Sequence, residues 1–526
     1  MELTELKTIL MKLKGTRLYN FHNLDIKGIS HDSRKVKPGD IFVAIPGAKT
    51  DGHNFIPDAI QRGALAIVSN TKLNLFTLIP YIRVAEPRKA LALISNHFFG
   101  YPSKRMRVIG ITGTNGKTTT AYLLKSILEK AGNRTGMLGT IEYIIPASQG
   151  GGERCIRADV TTPESYDLQS FFADMANNNC THAVMEVSSH SLAQNRVYGS
   201  RFYRAVFTNL TRDHLDFHKT PAKYRQAKAI LFKNLPAESI AILNLDDAAS
   251  RYFARNTPAQ IIGYHLAGKP MKYGRTKSGR MLLASVVQAE IEESSLKGSS
   301  ILLKTPMGEI SIQSSLIGQH NVYNILGAAA TAISMGIPVD MIKEGIEAVR
   351  SIRGRLEPVE NEDLTHSGIS VMVDFAHTED ALKNVLVALK PLVRGRIITV
   401  FGCGGDRDKG KRPLMGKVVS KYSDLFVVTS DNPRSEDPLA IINDIKKGIK
   451  RRNGYVIEAD RFVAISKALS MARKGDLVLI AGKGHETYQI LKDTVIPFDD
   501  REAVRRIMEH PAPLGGIELA RHSLVI

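Results

Sequence analysis

Apolar residues recur at helical spacing at the start of the chain (Leu3, Leu6, Ile9, Leu10, Leu13), which predicts an opening helix. Short apolar runs follow at Ile41–Ile45 and Ala64–Val68, set off by the Pro38-Gly39 and Pro46-Gly47 turns, and read as strands of a small mixed domain. Tyr101-Pro102-Ser103-Lys104-Arg105 reads as the linker out of it. A strand at Val108–Thr112 then leads through a Gly-rich turn into a helix from about Ala121 to Ala131. Further strands are expected at His182–Val187, Arg204–Thr208 and Ser239–Leu243. Strands that alternate with helices indicate a parallel sheet covered on both faces. Between Met281 and Leu316 the texture changes to polar/apolar alternation around Pro306-Met307-Gly308, which predicts an antiparallel hairpin annex. After Arg353-Gly354-Arg355 a second α/β rhythm begins, with strands expected at 370–374, 396–401, 424–429, 455–458 and 476–481.

The fold class is therefore α/β in three domains: 1–103 small and mixed, 104–352 around the phosphate-loop strand, and 353–526 Rossmann-like. The length agrees, since 526 residues at roughly 150 per domain give about three. A hydrophobic fraction of 43% and a charged fraction of 23% are those of a folded chain. Cys155, Cys180 and Cys403 stand far apart with no Cys-x-x-Cys pair, which argues against a disulfide scaffold and a zinc ribbon. No apolar run approaches the ~18 residues that span a bilayer, and the acidic opening Met1-Glu2-Leu3-Thr4-Glu5 is unlike a signal or transit peptide. A soluble cytoplasmic monomer is expected.

Charge changes this picture little. Lys and Arg number 71 against 52 Asp and Glu, a surplus of +19 that attracts polyanions. The basic residues are spread along the chain, the densest cluster being Lys446, Lys447, Lys450, Arg451 and Arg452. There is no helix-turn-helix pattern or aromatic stacking platform, so no specific nucleic-acid partner is expected. A basic ATP-dependent nucleic-acid-binding protein stays as the alternative from another class.

The sharpest chemistry lies in Gly113-Thr114-Asn115-Gly116-Lys117-Thr118-Thr119, between an apolar strand and a helix. Backbone amides of such a turn wrap phosphate oxygens, and the helix N-terminus adds its positive dipole end. Lys117 would reach the β/γ-phosphates and the Thr118 hydroxyl would ligate Mg²⁺. The spacing departs from the strict phosphate-loop pattern, because Ile111 stands where that pattern has its first glycine.

That variant loop resembles the ATP loop of the Mur ligase family, and the resemblance extends over nearly the full chain. The family activates a carboxylate with ATP as an acyl phosphate, which an amine then attacks. The resemblance implies UDP-MurNAc-L-Ala-D-Glu as acceptor, meso-diaminopimelate as the incoming amine, and ATP with two Mg²⁺ ions. Glu186 in Met185-Glu186-Val187 and His214 in Asp213-His214-Leu215-Asp216 are implied as metal ligands with Thr118. Lys228 is implied to carry a carbamate as a further ligand, although a lysine beside apolar helix neighbours is commonly one whose stem lies over the core. Asn321 would meet adenine, and Arg355 and Asp374 would reach the nucleotide from the third domain. Ser33, in Asp32-Ser33-Arg34, is implied to contact the uridine diphosphate, with Ala48-Lys49-Thr50 near the uracil. Thr161, Thr162, Ser188, Gln194 and Arg196 match contacts to the muramoyl-dipeptide. Arg407, the Asp431-Asn432-Pro433-Arg434 loop, Gly482 and Glu486 match the amino-acid pocket, where Arg434 offers a fork for a distal carboxylate and Asp431 an acceptor for an ammonium. Lysine addition, or glutamate addition as in folylpolyglutamate synthetases, remain as alternatives within the family.

Overall fold

The computed structural model describes residues 1–47, 50–71, 79–147, 152–268, 285–451 and 453–510. The expected positions Ala48 and Lys49, the start of the annex at Met281, and Arg452 lie outside the described residues. The opening helix forms over Leu3–Leu10 and buries Leu3, Leu6, Ile9 and Leu10. It packs with the helix Pro87–Phe98 against a five-stranded sheet, whose spatial order is Arg17–Tyr19, Tyr81–Arg83, Ala66–Ser69, Asp40–Val43, Gly28–Ser30. The linker is a short 3₁₀ turn, Pro102–Lys104, entered through Tyr101 at φ 54°.

Six parallel strands form the centre of the second sheet, in the order Gln260–Leu266, Ile240–Asn244, Arg204–Phe207, Arg107–Thr112, His182–Glu186, Thr135–Leu138. Their residues are almost all buried because helices cover both faces, and two apolar clusters sandwich the sheet. The annex is larger than a hairpin and is not separate. Ser285–Ser295 joins the sheet parallel to Gln260–Leu266, and Gly298–Thr305 and Gly308–Ser314 extend it antiparallel. Glu142–Pro146 and Glu153–Arg157 extend the opposite edge, giving eleven strands. The helix after the Gly-rich turn starts at Lys117, four residues earlier than its apolar periodicity indicates. Its first turn is Lys117-Thr118-Thr119-Thr120, whose polar residues carry no helical period although Thr118, Thr119 and Thr120 are buried.

The third sheet runs Glu357–Pro358, Ser370–Asp374, Leu477–Ala481, Ile397–Phe401, Leu425–Val428, Tyr455–Ile457, parallel except at the first strand. The chain leaves Ile397–Phe401 toward one edge and returns to Leu477–Ala481 on its other side. The crevice beyond these two strand ends is thus a topological switch point, where open α/β sheets hold ligands. The second sheet has the same feature beyond Arg107–Thr112 and Arg204–Phe207.

Candidate active site

One cavity of about 590 Å³ lies where the two crevices face each other. Its wall takes Thr114 to Thr119 from the phosphate loop and the start of its helix, Glu186 from a strand end of the second sheet, Ser188 and His214 from the segments that follow two of its strands, and Arg355, Asp374, Arg407, Arg434 and Glu486 from the third domain. Ile317 of the second domain packs into the apolar core of the third, and polar and cation–π contacts among the described residues also join the facing domains. Asn115 Nδ2 donates to Asp380 (2.9 Å), and Arg355 Nη2 donates to Thr118 Oγ1 (3.1 Å). Arg212 lies 3.6 Å from Asp408, and the Arg157 guanidinium sits over the Tyr488 ring at 4.6 Å.

The loop is shaped by close approach. A Cβ on Gly113 would lie 1.8 Å from Thr208 Oγ1, and one on Gly116, at φ 85°, would lie 2.2 Å from Asn324 Oδ1. Only glycine fits either place. The Lys117 ammonium donates to the carbonyls of Gly113 (3.0 Å) and Thr114 (2.9 Å). Burial lowers its pKa, against the opposing pull of Glu186 and Asp213.

Glu186 ends its strand 1% exposed, one carboxylate oxygen accepting from the Thr140 amide (2.8 Å) and the other from the Thr140 hydroxyl (2.9 Å). His214 sits in the left-handed region at φ 54° and heads the short helix Leu215–His218. Burial depresses its pKa to about 3 despite Asp213 at 3.2 Å, with His190 and Lys228 adding to the shift, so the ring is neutral. Lys228 is 1% exposed, with Nζ on the Gly113 carbonyl (2.7 Å) and over the Tyr224 ring (4.6 Å). Burial, reinforced by the Lys117 charge, holds its pKa well below that of an ordinary lysine.

Thr118, Glu186 and His214 face the same cavity and supply a hydroxyl, a carboxylate and a neutral imidazole, a donor set that fits a divalent cation. Among the described residues no three His, Cys, Asp or Glu side chains gather as a preformed metal cluster.

Thr161, Thr162, Ser188, Gln194 and Arg196 also line the cavity. Thr162 Oγ1 donates to the Glu186 carbonyl (2.8 Å) and accepts from the Ser188 amide (3.1 Å). Arg196 donates to the Thr162 carbonyl and to Gln194 Oε1, each at 2.8 Å. Glu164 lies 3.5 Å from Arg196 and 2.8 Å from Arg88 of the first domain. Ser33 is buried in a turn capped by Asp32 and is not on this wall.

Three residues are more committed than the sequence indicates. Asn321 reaches the wall, but its Nδ2 donates to the Ile317 carbonyl and its Oδ1 accepts from Asn324, both at 2.9 Å. Asp374 uses one oxygen for the Leu356 amide and the other for the Ala376 amide, both at 2.7 Å, and so fixes the turn that presents Arg355. Asp431 is 7% exposed and stands behind the wall with Asn432, Pro433 and Gly482. Burial pushes its pKa up, but Lys483 and Arg461 outweigh that and leave it below the ordinary value.

Arg407, Arg434 and Glu486 do reach the cavity. Arg434 takes φ 53° and donates to the Gly405 carbonyl (2.8 Å). Glu486 accepts from Asn432 (2.8 Å) and Lys483 (3.1 Å), and burial with the nearby Asp431 raises its pKa.

Three family profiles match the chain: "Mur ligase family, catalytic domain" over 25–99, "Mur ligase middle domain" over 111–332, and "Mur ligase, glutamate ligase domain" over 354–484. The chain belongs to the Mur ligase family. It is 46% identical over 488 residues to the UDP-N-acetylmuramoyl-L-alanyl-D-glutamate–2,6-diaminopimelate ligase of Solibacter usitatus, covering 92% of this chain and 94% of that one. It is 44% identical over 505 residues to the ligase of the same name from Clostridium perfringens, covering 96% and 99%. A solved structure of a ligase of that name superposes with a TM-score of 0.61 at 32% identity, covering 92% of this chain and 95% of that one.

Sequence reasoning missed several wall residues of this Mur ligase. Phe375 and His377 follow closely after Asp374, and Tyr488 follows shortly after Glu486. Thr140 and His320 carry no sequence signal of their own, because only the folded chain brings them to the wall.

Proposed function

We propose that this Mur ligase joins meso-2,6-diaminopimelate to UDP-N-acetylmuramoyl-L-alanyl-D-glutamate, with ATP converted to ADP and phosphate, in the cytoplasmic assembly of peptidoglycan precursors. The observation that carries the reading is the cavity itself. Phosphate-loop amides, the dipeptide-side Arg196 and the pair Arg407 and Arg434 face one space. Relatives 41–46% identical over nearly the whole chain bear the name of that reaction.

In this reading the glutamyl carboxylate attacks the γ-phosphorus of ATP. The bond to the ADP oxygen breaks and an acyl phosphate forms. The neutral amine of diaminopimelate then attacks the acyl carbon, phosphate leaves with the C–O bond pair, and the nitrogen loses its proton. Phosphate-loop amides and Lys117 stabilise the charge on the transferring phosphoryl group. Arg196 grips the dipeptide, and Arg355, anchored on Thr118, excludes water as the domains meet. Thr118, Glu186, His214 and a carbamylated Lys228 would hold Mg²⁺, which supplies charge neutralisation between the two reacting anions. Burial favours the neutral amine on Lys228, the form that adds to CO₂ and releases a proton. Arg434 and Arg407 would take the distal carboxylate of diaminopimelate.

The test is product mass. Incubation with both substrates and ATP·Mg²⁺ should yield the dipeptide nucleotide extended by one diaminopimelate residue, with one ADP per product. ADP without that product would refute the reading.

A further inference from the structure

Arg461 is among the largest buried side chains of the protein, 1% exposed, and the ligase chemistry gives it no role. It opens the helix Arg461–Met471, where a cation opposes the positive end of the helix dipole. Its partner Asp500 opens another helix, Asp500–Glu509, and is 0% exposed. The pair is bidentate: Nε donates to Oδ1 (2.7 Å) and Nη2 to Oδ2 (2.8 Å). A buried ion pair of this kind adds little net stability over well-packed apolar side chains, because both charges leave water. Its geometry is more telling than its energy.

The remaining donors of Arg461 reach two strand ends. Nη1 donates to the Ser430 carbonyl and Nη2 to the Ala481 carbonyl, each at 3.2 Å. The strands that lead to these carbonyls, Leu425–Val428 and Leu477–Ala481, are not neighbours, since Ile397–Phe401 lies between them. Arg461 thus spans the crest of three parallel strands at the switch point. The next residue after each carbonyl stands just behind the cavity wall: Asp431 after Ser430, and Gly482 after Ala481. These two touch, because a Cβ on Gly482 (φ 116°) would lie 2.7 Å from Asp431 Oδ2. From Asp431 the chain continues to Arg434, and from Gly482 to Glu486, both on the cavity wall.

We propose that Arg461, held by Asp500, is a positioning residue for the amino-acid substrate: it clamps the Ser430 and Ala481 carbonyls together and so sets the spacing between the Arg434 loop and the Glu486 loop. It acts behind the pocket and touches no reacting atom. The proposal rests on the amino-acid pocket described under the proposed function.

The test uses the full-length ligase with Arg461→Met and Asp500→Leu combined, which removes both charges at similar volume and strands neither. Arg434→Ala is measured in parallel. The double variant is expected to melt near the parent and to show a KM for diaminopimelate raised about tenfold, with kcat and the KM for ATP within about twofold. A folded double variant whose KM for diaminopimelate stays within about twofold of the parent overturns the clamp. If the double variant does not fold, Arg461→Lys decides. It keeps the charge but cannot reach three acceptors in one plane, so a KM for diaminopimelate raised about threefold is expected and an unchanged one overturns the proposal. If Arg434→Ala leaves that KM unchanged, the pocket assignment fails, and the clamp with it. A raised KM in Arg434→Ala beside an unchanged one in the pair variant defeats the clamp alone.

Discussion

Lys117 and Lys228 share one acceptor: their ammonium nitrogens lie 3.0 and 2.7 Å from the carbonyl oxygen of Gly113. The Lys117 charge repels a proton on Lys228, and together with burial it keeps the pKa of Lys228 well below that of an ordinary lysine. Conversion of Lys228 to an anion would replace that repulsion with attraction and leave Lys117 as the cation of the loop. Lys228→Ala should therefore reduce kcat by at least about a hundredfold while UDP-MurNAc-L-Ala-D-Glu still binds, read by calorimetry beside steady-state rates. CO₂ depletion should slow the parent reversibly, and parent turnover in Lys228→Ala would remove the carbamate proposal.

The bond from Asn115 to Asp380 ties the phosphate loop to the helix Glu379–Leu389 of the third domain. Asp380→Ala leaves the loop intact but frees it from that helix. We expect a KM for ATP raised about threefold to tenfold, as for the loss of one charge-assisted hydrogen bond, with diaminopimelate binding unaffected. An unchanged KM for ATP would mean that the contact does not accompany nucleotide binding.

Acid should destabilise the fold before it titrates most carboxylates. Burial holds His182, His218, His320 and His377 at about 4, and His214 and His485 at about 3, against an ordinary 6.5. As pH falls from about 6.5 toward 4, the unfolded chain takes up protons that the folded chain refuses, so stability drops across that window. Carboxylates held low, such as Asp32 and Glu436 at about 2, contribute their loss only below about pH 4. Scanning calorimetry should show Tm several degrees lower at pH 5 than at pH 7, and an equal or higher Tm at pH 5 would contradict these burial effects.

Much of this was readable from the chain. Parallel strands buried on both faces read as continuous apolar runs, so Arg107–Thr112, His182–Glu186 and Leu477–Ala481 could be placed closely. The short edge strands Glu142–Pro146 and Glu153–Arg157 carry mixed polarity and were not expected. The cavity wall was legible where a motif marks it, as from Thr114 to Thr119 and at Arg434. It was not legible where a residue serves through the fold alone. Asp374 spends its carboxylate on two backbone amides, and Arg461 meets its partners only because non-adjacent strand ends converge.

If Arg434 holds the distal carboxylate as proposed, Arg434→Ala should raise the KM for diaminopimelate strongly, about thirtyfold or more, because its removal would leave that carboxylate without a partner. The KM for ATP and for the nucleotide dipeptide should stay within about twofold. A KM for diaminopimelate that does not move would place the pocket elsewhere.

The central claim is tested most directly by phosphate release from ATP with UDP-MurNAc-L-Ala-D-Glu, comparing meso-diaminopimelate with L-lysine. The account predicts release with diaminopimelate and little or none with lysine, which lacks the carboxylate that Arg434 and Arg407 would hold. Release with lysine alone would contradict the role of Arg434 while keeping the ligase. No release with either amine would contradict the assigned reaction.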